Sequence, residues 1–280
     1  MTLLRGSGVV MLQSLNPFRG AFVDRVHELS FASAERRREM AALTYPLFAT
    51  WWPSYGFEHY VDAYFSPRLE RQRLQVWHDT RGELAGYAVG ATIDIDVDND
   101  RLTLFEGLMC KRADVPNLSA AMSVAFARGT LEFAMRAAYS RGRTPVVRNI
   151  VATPGGYRII RRAFPRLYPS PELPVGQGRF ARWHEALREH MGVPADPAHP
   201  CLIEAVKLEL PTEMRARWER SADPGVRYFL EQCPGYGVTH EMLVLIPLEP
   251  RDIVLLPYTF LRSAASRAKY RAQRVTRAWQ

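Results

Sequence analysis

The chain has 280 residues, 47% of them apolar and 11% aromatic, which excludes a disordered polypeptide and provides for a sizeable core in one large or two small domains. Its net charge of +8, from 37 Lys and Arg against 29 Asp and Glu, suits an acidic partner: a phosphate-rich cofactor, nucleic acid or an anionic membrane. The run from Val9 to Leu15 is too weak for a secretory signal, and no stretch reaches the roughly 18 apolar residues of a spanning helix, so a soluble, cytoplasmic protein is expected.

Residues 1–22 read as irregular. A short strand is predicted from Val23 to Phe31. Ser33 is an N-cap for a helix to about Thr44, with Glu35 and Glu39 near its positive end, and Tyr45-Pro46 ends or kinks it. An aromatic-dense stretch follows, from Phe48 to Phe65, helical from Gly56. Leu74–Asp79 and Leu84–Asp94 read as a hairpin around the turn Thr80-Arg81-Gly82-Glu83. Asp94, Asp96, Asp98, Asn99 and Asp100 read as an acidic turn. They lack the sharp-turn glycine and distal glutamate of a calcium loop.

The block from Leu102 to Pro165 carries the most information. It reads as strand (Leu102–Cys110), turn (Lys111–Leu118), long helix (Ser119 to about Tyr139), strand (Pro145–Ala152) and short helix opening at Thr153-Pro154-Gly155. A strand that feeds a helix N-terminus is a site for phosphate groups and points to a cofactor with a pyrophosphate. Phe164–Gly178, rich in Pro and Gly, is a connector. Helices are predicted over Arg179–His190, Thr212–Ser221 and Gly225–Cys233, and strands over Cys201–Leu210 and Glu241–Leu248. Residues 251–280 form a basic tail. From Arg262 on it holds Arg267, Lys269, Arg271, Arg274 and Arg277 and no acid, at helical spacing. Such an arm suits anionic lipid or nucleic acid, or is simply a solvated end.

Cys110, Cys201 and Cys233 are far apart and free of CxxC spacing, which argues against a zinc site and a disulfide framework and fits a reducing compartment. The seven histidines show no metal-ligand spacing. Glu106 stands within an apolar strand, where desolvation favours a protonated carboxyl and a role as general base; the alternative is pairing with an arginine such as Arg148. Cys110 adjoins Lys111 and Arg112, charges that favour a thiolate, yet a small buried hydrophobe has the same sequence signature.

The order strand, helices, hairpin, strand, long helix, strand, short helix, strand, strand resembles the GCN5-related N-acetyltransferase (GNAT) family over roughly residues 20–250. The resemblance implies an α/β (α+β) fold, a mixed, mostly antiparallel, splayed sheet flanked by helices, in residues 23–250, with a C-terminal helical extension. It implies acetyl-CoA or another acyl-CoA as co-substrate, no metal, and transfer to a small-molecule or peptide amine by direct attack. Met109, Cys110, Lys111, Arg112, Asn117, Ser119 and Asn149 are then the cofactor-binding residues. Glu106 is the base, and Tyr157 the candidate acid for the leaving thiolate. Trp51, Trp52, Tyr55 and Tyr60 form the acceptor wall. Two departures stand out. The family's phosphate turn carries glycines where this chain has Arg112-Ala113-Asp114-Val115-Pro116-Asn117, and its tyrosine, five residues before the phenylalanine, falls on Ile159. Pro116 has no amide to donate, and Asp114 repels phosphate. A catalytically degenerate relative that binds a ligand or partner is the alternative.

Overall fold

A computed structural model describes residues 22–69, 71–115, 118, 129, 132, 135–136, 138–164, 166–193, 199–204 and 212–252. Among the described residues the fold is mixed α/β, with seven strands in a mostly antiparallel sheet and helices against it. The chain clusters into two compact units, Met1–Asp96 with Asp100–Pro145, and Val97–Asn99 with Val146–Gln280.

In the first unit the strands β1 (Val23–Glu28), β2 (Arg71–His78), β3 (Leu84–Val97) and β4 (Asp100–Lys111) lie side by side in chain order. β1 and β2 pair antiparallel with Val26 opposite Gln75; β2 and β3 do so with Leu74 opposite Val89 and Val76 opposite Tyr87. Alternation sorts the side chains onto two faces. Leu74, Val76, Tyr87, Val89 and Cys110 pack with Met40, Leu47, Phe48 and Tyr60 from the helices α1 (Ala34–Ala49) and α2 (Phe57–Tyr64). Trp77 and Ala88 pack with Leu118, the first described residue of the helical stretch that follows β4.

Two sequence expectations give way here. α1 does not stop at Tyr45-Pro46 but runs through Pro46 to Ala49. Proline removes one amide and frees the carbonyl four residues back. That carbonyl belongs to Ala42, on the exposed side of the helix, while Leu47 and Phe48 beyond the proline are buried and hold the last turn to the core. The acidic turn is likewise shorter than expected. Asp94 and Asp96 are residues of β3, and only Asp98 and Asn99 make the turn, Asp98 with φ of 53°. Asp94 accepts from Thr103 Oγ1 at 2.7 Å and pairs with Arg141; Asp96 pairs with the buried Arg143; Asp98 accepts from Arg182 Nε at 2.9 Å. Among the described residues no group of three His, Cys, Asp or Glu is disposed to hold a metal ion.

In the second unit β7 (His240–Pro247) lies between β5 (Thr144–Val151) and β6 (Leu202–Glu204), antiparallel to both. Its run Met242–Pro247 is wholly buried, as an unbroken apolar stretch requires. The helices α3 (Pro154–Ala163) and α6 (Pro224–Gln232) pack together, each started by a side-chain cap. Thr153 Oγ1 accepts from Gly156 N at 3.1 Å, and Asp223 Oδ1 from Gly225 N and Val226 N. α4 (Gly178–His190) follows the connector, and α5 (Thr212–Glu219) precedes α6. The connector is less irregular than its composition implies: Tyr168 bridges to Leu245 of β7, ahead of a cis Tyr168–Pro169 bond. Of the strand expected over Cys201–Leu210, Cys201–Glu204 are described and Leu202–Glu204 form the strand. Residues 1–21 and the tail from residue 253 onward lie outside the described residues.

Candidate functional site

β4 changes character halfway along. Leu102 to Phe105 are all buried; then Glu106 is half-buried, Gly107 exposed, Leu108 half-buried and Met109 42% exposed, before Cys110 is buried again. The strand therefore brings Gly107 and Met109 to the surface and leaves Glu106 half-buried after an apolar run. Where the opening begins, the Phe105 ring lies over Gly90 of β3, so close that a Cβ there would come within 2.5 Å of it. β5, in the second unit, has a similar profile: Pro145 and Val146 are buried, and Val147 to Ile150, including Asn149, are half-buried.

At the end of β4 the side chains are already engaged. Cys110 is buried beside the Tyr87 hydroxyl, and burial pushes its thiol up to about 12, so it is a protonated core residue rather than a thiolate. Tyr87 has no partner at full hydrogen-bond geometry among the described residues. Lys111 points its Nζ at the Arg112 carbonyl (3.4 Å), and its own carbonyl accepts from Trp51 Nε1 at 3.0 Å. Arg112 is clamped by three carboxylates: Nη2 donates to Asp79 at 2.8 Å, Nη1 to Glu83 at 3.1 Å and Nε to Asp114 at 3.1 Å. The bond from Arg112, with the amides of Glu83 and Arg81 that donate to Oδ1, holds the Asp79 carboxyl down at about 2. Arg81 also pairs with Asp79 and Glu83, which leaves two arginines against three carboxylates. Among the described residues of this turn, the Arg112 guanidinium is therefore already satisfied by carboxylates. Asn117 and Ser119 lie outside the described residues.

The four aromatic residues divide by depth. Trp51 is 45% exposed, Trp52 stacks on Phe48 with ring centres 5.0 Å apart, and Tyr55 stacks on His59 at 4.4 Å. Tyr60 is fully buried, its hydroxyl 2.9 Å from Thr44 Oγ1, with its pKa raised by burial. Trp51 and Lys111 thus meet directly, and Trp52, Tyr55, Tyr60 and Cys110 share one core cluster. Tyr157, in the second unit, is fully buried at the start of α3. Its hydroxyl donates to Pro169 O at 2.7 Å, and burial raises its pKa.

Sequence reasoning missed Asp79 and Glu83 as partners of Arg112, although the charge-dense hairpin turn Asp79-Thr80-Arg81-Gly82-Glu83 carried the signal. It also missed Thr44 and Tyr87, for which no sequence signal exists.

No protein-family model and no curated protein matches the chain. Solved structures do. A ribosomal-protein-alanine N-acetyltransferase from Brucella melitensis biovar Abortus is 13% identical over 45% of this chain and 78% of its own, with a TM-score of 0.28. An aminoglycoside N-acetyltransferase in complex with CoA is 10% identical over 69% and 97%, with a TM-score of 0.30. The glucosamine N-acetyltransferase region of a fungal multi-domain β-N-acetylglucosaminidase is 15% identical over 72% and 21%, with a TM-score of 0.31.

Proposed function

We propose that this chain is an acyl-CoA-dependent N-acyltransferase of GNAT type, acting on an amine. The observation that carries the reading is the change along β4 from the buried run Leu102–Phe105 to half-buried Glu106 and exposed Gly107 and Met109. In this reading the surface at Gly107 and Met109 takes the extended pantetheine arm. The acceptor amine attacks the thioester carbonyl carbon. A C–N bond forms, the C–S bond breaks, Glu106 accepts the proton lost from nitrogen, and the thiolate takes a proton from water. Trp51, exposed and tied to the Lys111 carbonyl, stands at the same end of β4 and supplies the near wall of the acceptor site. No side chain of this chain is assigned as the acid for the thiolate, because the Cys110 thiol and Tyr157 hydroxyl are buried and Tyr157 is already bonded.

A second reading, a protein of this fold that binds a ligand or partner without turnover, is favoured by the carboxylates around Arg112. They occupy the guanidinium that a pyrophosphate would need. The two part on one comparison. In a thiol-release assay with acetyl-CoA and a panel of amines, the first predicts turnover that falls about 100-fold or more in Glu106→Gln, with thermal stability intact. Binding without thiol release in the parent chain would decide for the second. The basic segment of residues 262–280 is assigned contact with an anionic membrane or nucleic acid, to be read as salt-sensitive binding that its deletion removes.

A further inference from the structure

The second unit contains an open cleft of about 630 Å³ lined by Arg166, Arg179, Phe180, Glu249, Pro250 and Arg251. Three guanidinium groups converge there on one carboxylate. Glu249 meets Arg166 Nη2 at 2.9 Å, Arg251 Nε at 3.4 Å, and Arg179 Nη2. Arg166 is held rigid from behind. It forks onto Asp252, which is 1% exposed, with Nε donating to Oδ1 at 2.8 Å and Nη2 to Oδ2. Asp252 is itself locked, since its amide donates to Glu249 O at 2.8 Å and its Oδ2 accepts from Glu249 N at 2.9 Å. The Phe180 ring lies under both Arg166 and Arg179, at 5.6 and 5.1 Å from the guanidinium carbons.

Two features of this cluster are unbalanced. Three arginines face two carboxylates, and their pairings run through Nη2 of Arg166 and Arg179 and through Nε of Arg166 and Arg251. Arg179 also stands in the first turn of α4, where the helix dipole disfavours a cation, and Gln177 gives that turn no side-chain cap. An anion in the cleft corrects both, using pre-positioned guanidinium forks of the kind that recognise tetrahedral oxyanions. The volume exceeds a bare ion and suits a small organic molecule whose apolar part rests on Phe180 and Pro250.

We propose that this cleft binds the phosphate group of a small phosphomonoester, with Glu249 competing for the same guanidinium groups when the ligand is absent. The site lies within the second unit and is independent of acyl transfer. The test is calorimetric titration of the full chain with inorganic phosphate and with phenyl phosphate, against sodium chloride of matched ionic strength. Saturable binding is expected, tighter for phenyl phosphate. It should weaken about tenfold or more in the double variant Arg179→Gln, Arg251→Gln, and tighten several-fold in Glu249→Gln. Arg179 and Arg251 have side chains 41% and 68% exposed, so the double variant preserves the core. No saturable response beyond that of chloride, binding undiminished in the double variant, or binding lost in Glu249→Gln would each overturn the proposal.

Discussion

Arg37 is 4% exposed, and no carboxylate bonds to it among the described residues. It instead donates to main-chain oxygens, Ser66 at 3.0 Å, Ser30 at 3.3 Å, Ala32 at 3.4 Å and Leu69 at 3.5 Å, and to Gln72 Oε1 at 2.9 Å. One guanidinium thereby ties the start of α1 to the approach of β2. Replacing it with Met leaves those oxygens buried and unpaired, and should cost about 2–4 kcal/mol in urea unfolding, with Lys intermediate. The sequence gives no hint of this, because Arg36, Arg37 and Arg38 are chemically identical neighbours and only the middle one turns inward. Asp114 is the opposite case, legible from the start as a charge in the wrong place for phosphate. Its side chain is 65% exposed and shares Arg112 with Asp79 and Glu83. If acyl-CoA lies along β4, Asp114→Asn should tighten acetyl-CoA binding several-fold by calorimetry, and the gain should shrink at high salt.

At the scale of elements, the junction of β3 and β4 sets where the strand opens. Gly90 is there because Phe105 needs its space. Gly90→Ala should destabilise the chain by about 1–3 kcal/mol, and the added change Phe105→Leu should restore part of it, both read from denaturant midpoints. Most elements of this unit were legible because local signals agreed. Ser33 caps α1, Gly82 with φ of +81° sits in the hairpin turn, and apolar alternation marks β2 and β3. The errors arose where tertiary packing overrode a local rule. Pro46 was tolerated because its helix face is exposed, and Asp94 and Asp96 stayed in β3 because Arg141 and Arg143 neutralise them from a distant part of the chain. The candidate site was legible in part. Glu106 and Trp51 could be named from sequence, but the acidic clamp on Arg112 depends on a hairpin some thirty residues earlier in the chain.

For the whole molecule, two groups of the second unit set opposing pH dependences. Burial lowers the His184 pKa to about 4 while its Nε2 stays bonded to Leu243 O. The unfolded chain therefore takes up this proton first. The stability tied to neutral His184 is complete above about pH 6.5 and is lost as pH falls toward 4. Burial raises Glu241 to about 7, so the folded chain holds its proton longer than the unfolded one. Its contribution is complete below about pH 4.5 and is lost as pH rises toward 7. Glu241→Gln should accordingly raise the melting temperature at pH 8 and leave it unchanged near pH 4, whereas His184→Asn should flatten the acid side of the profile. The claim that matters most remains the one about β4. Its most direct test is calorimetric titration of the chain with acetyl-CoA and longer acyl-CoAs, alongside Glu106→Gln. The account predicts saturable binding by both proteins and thiol release by the parent alone. No binding of any CoA ester would contradict it.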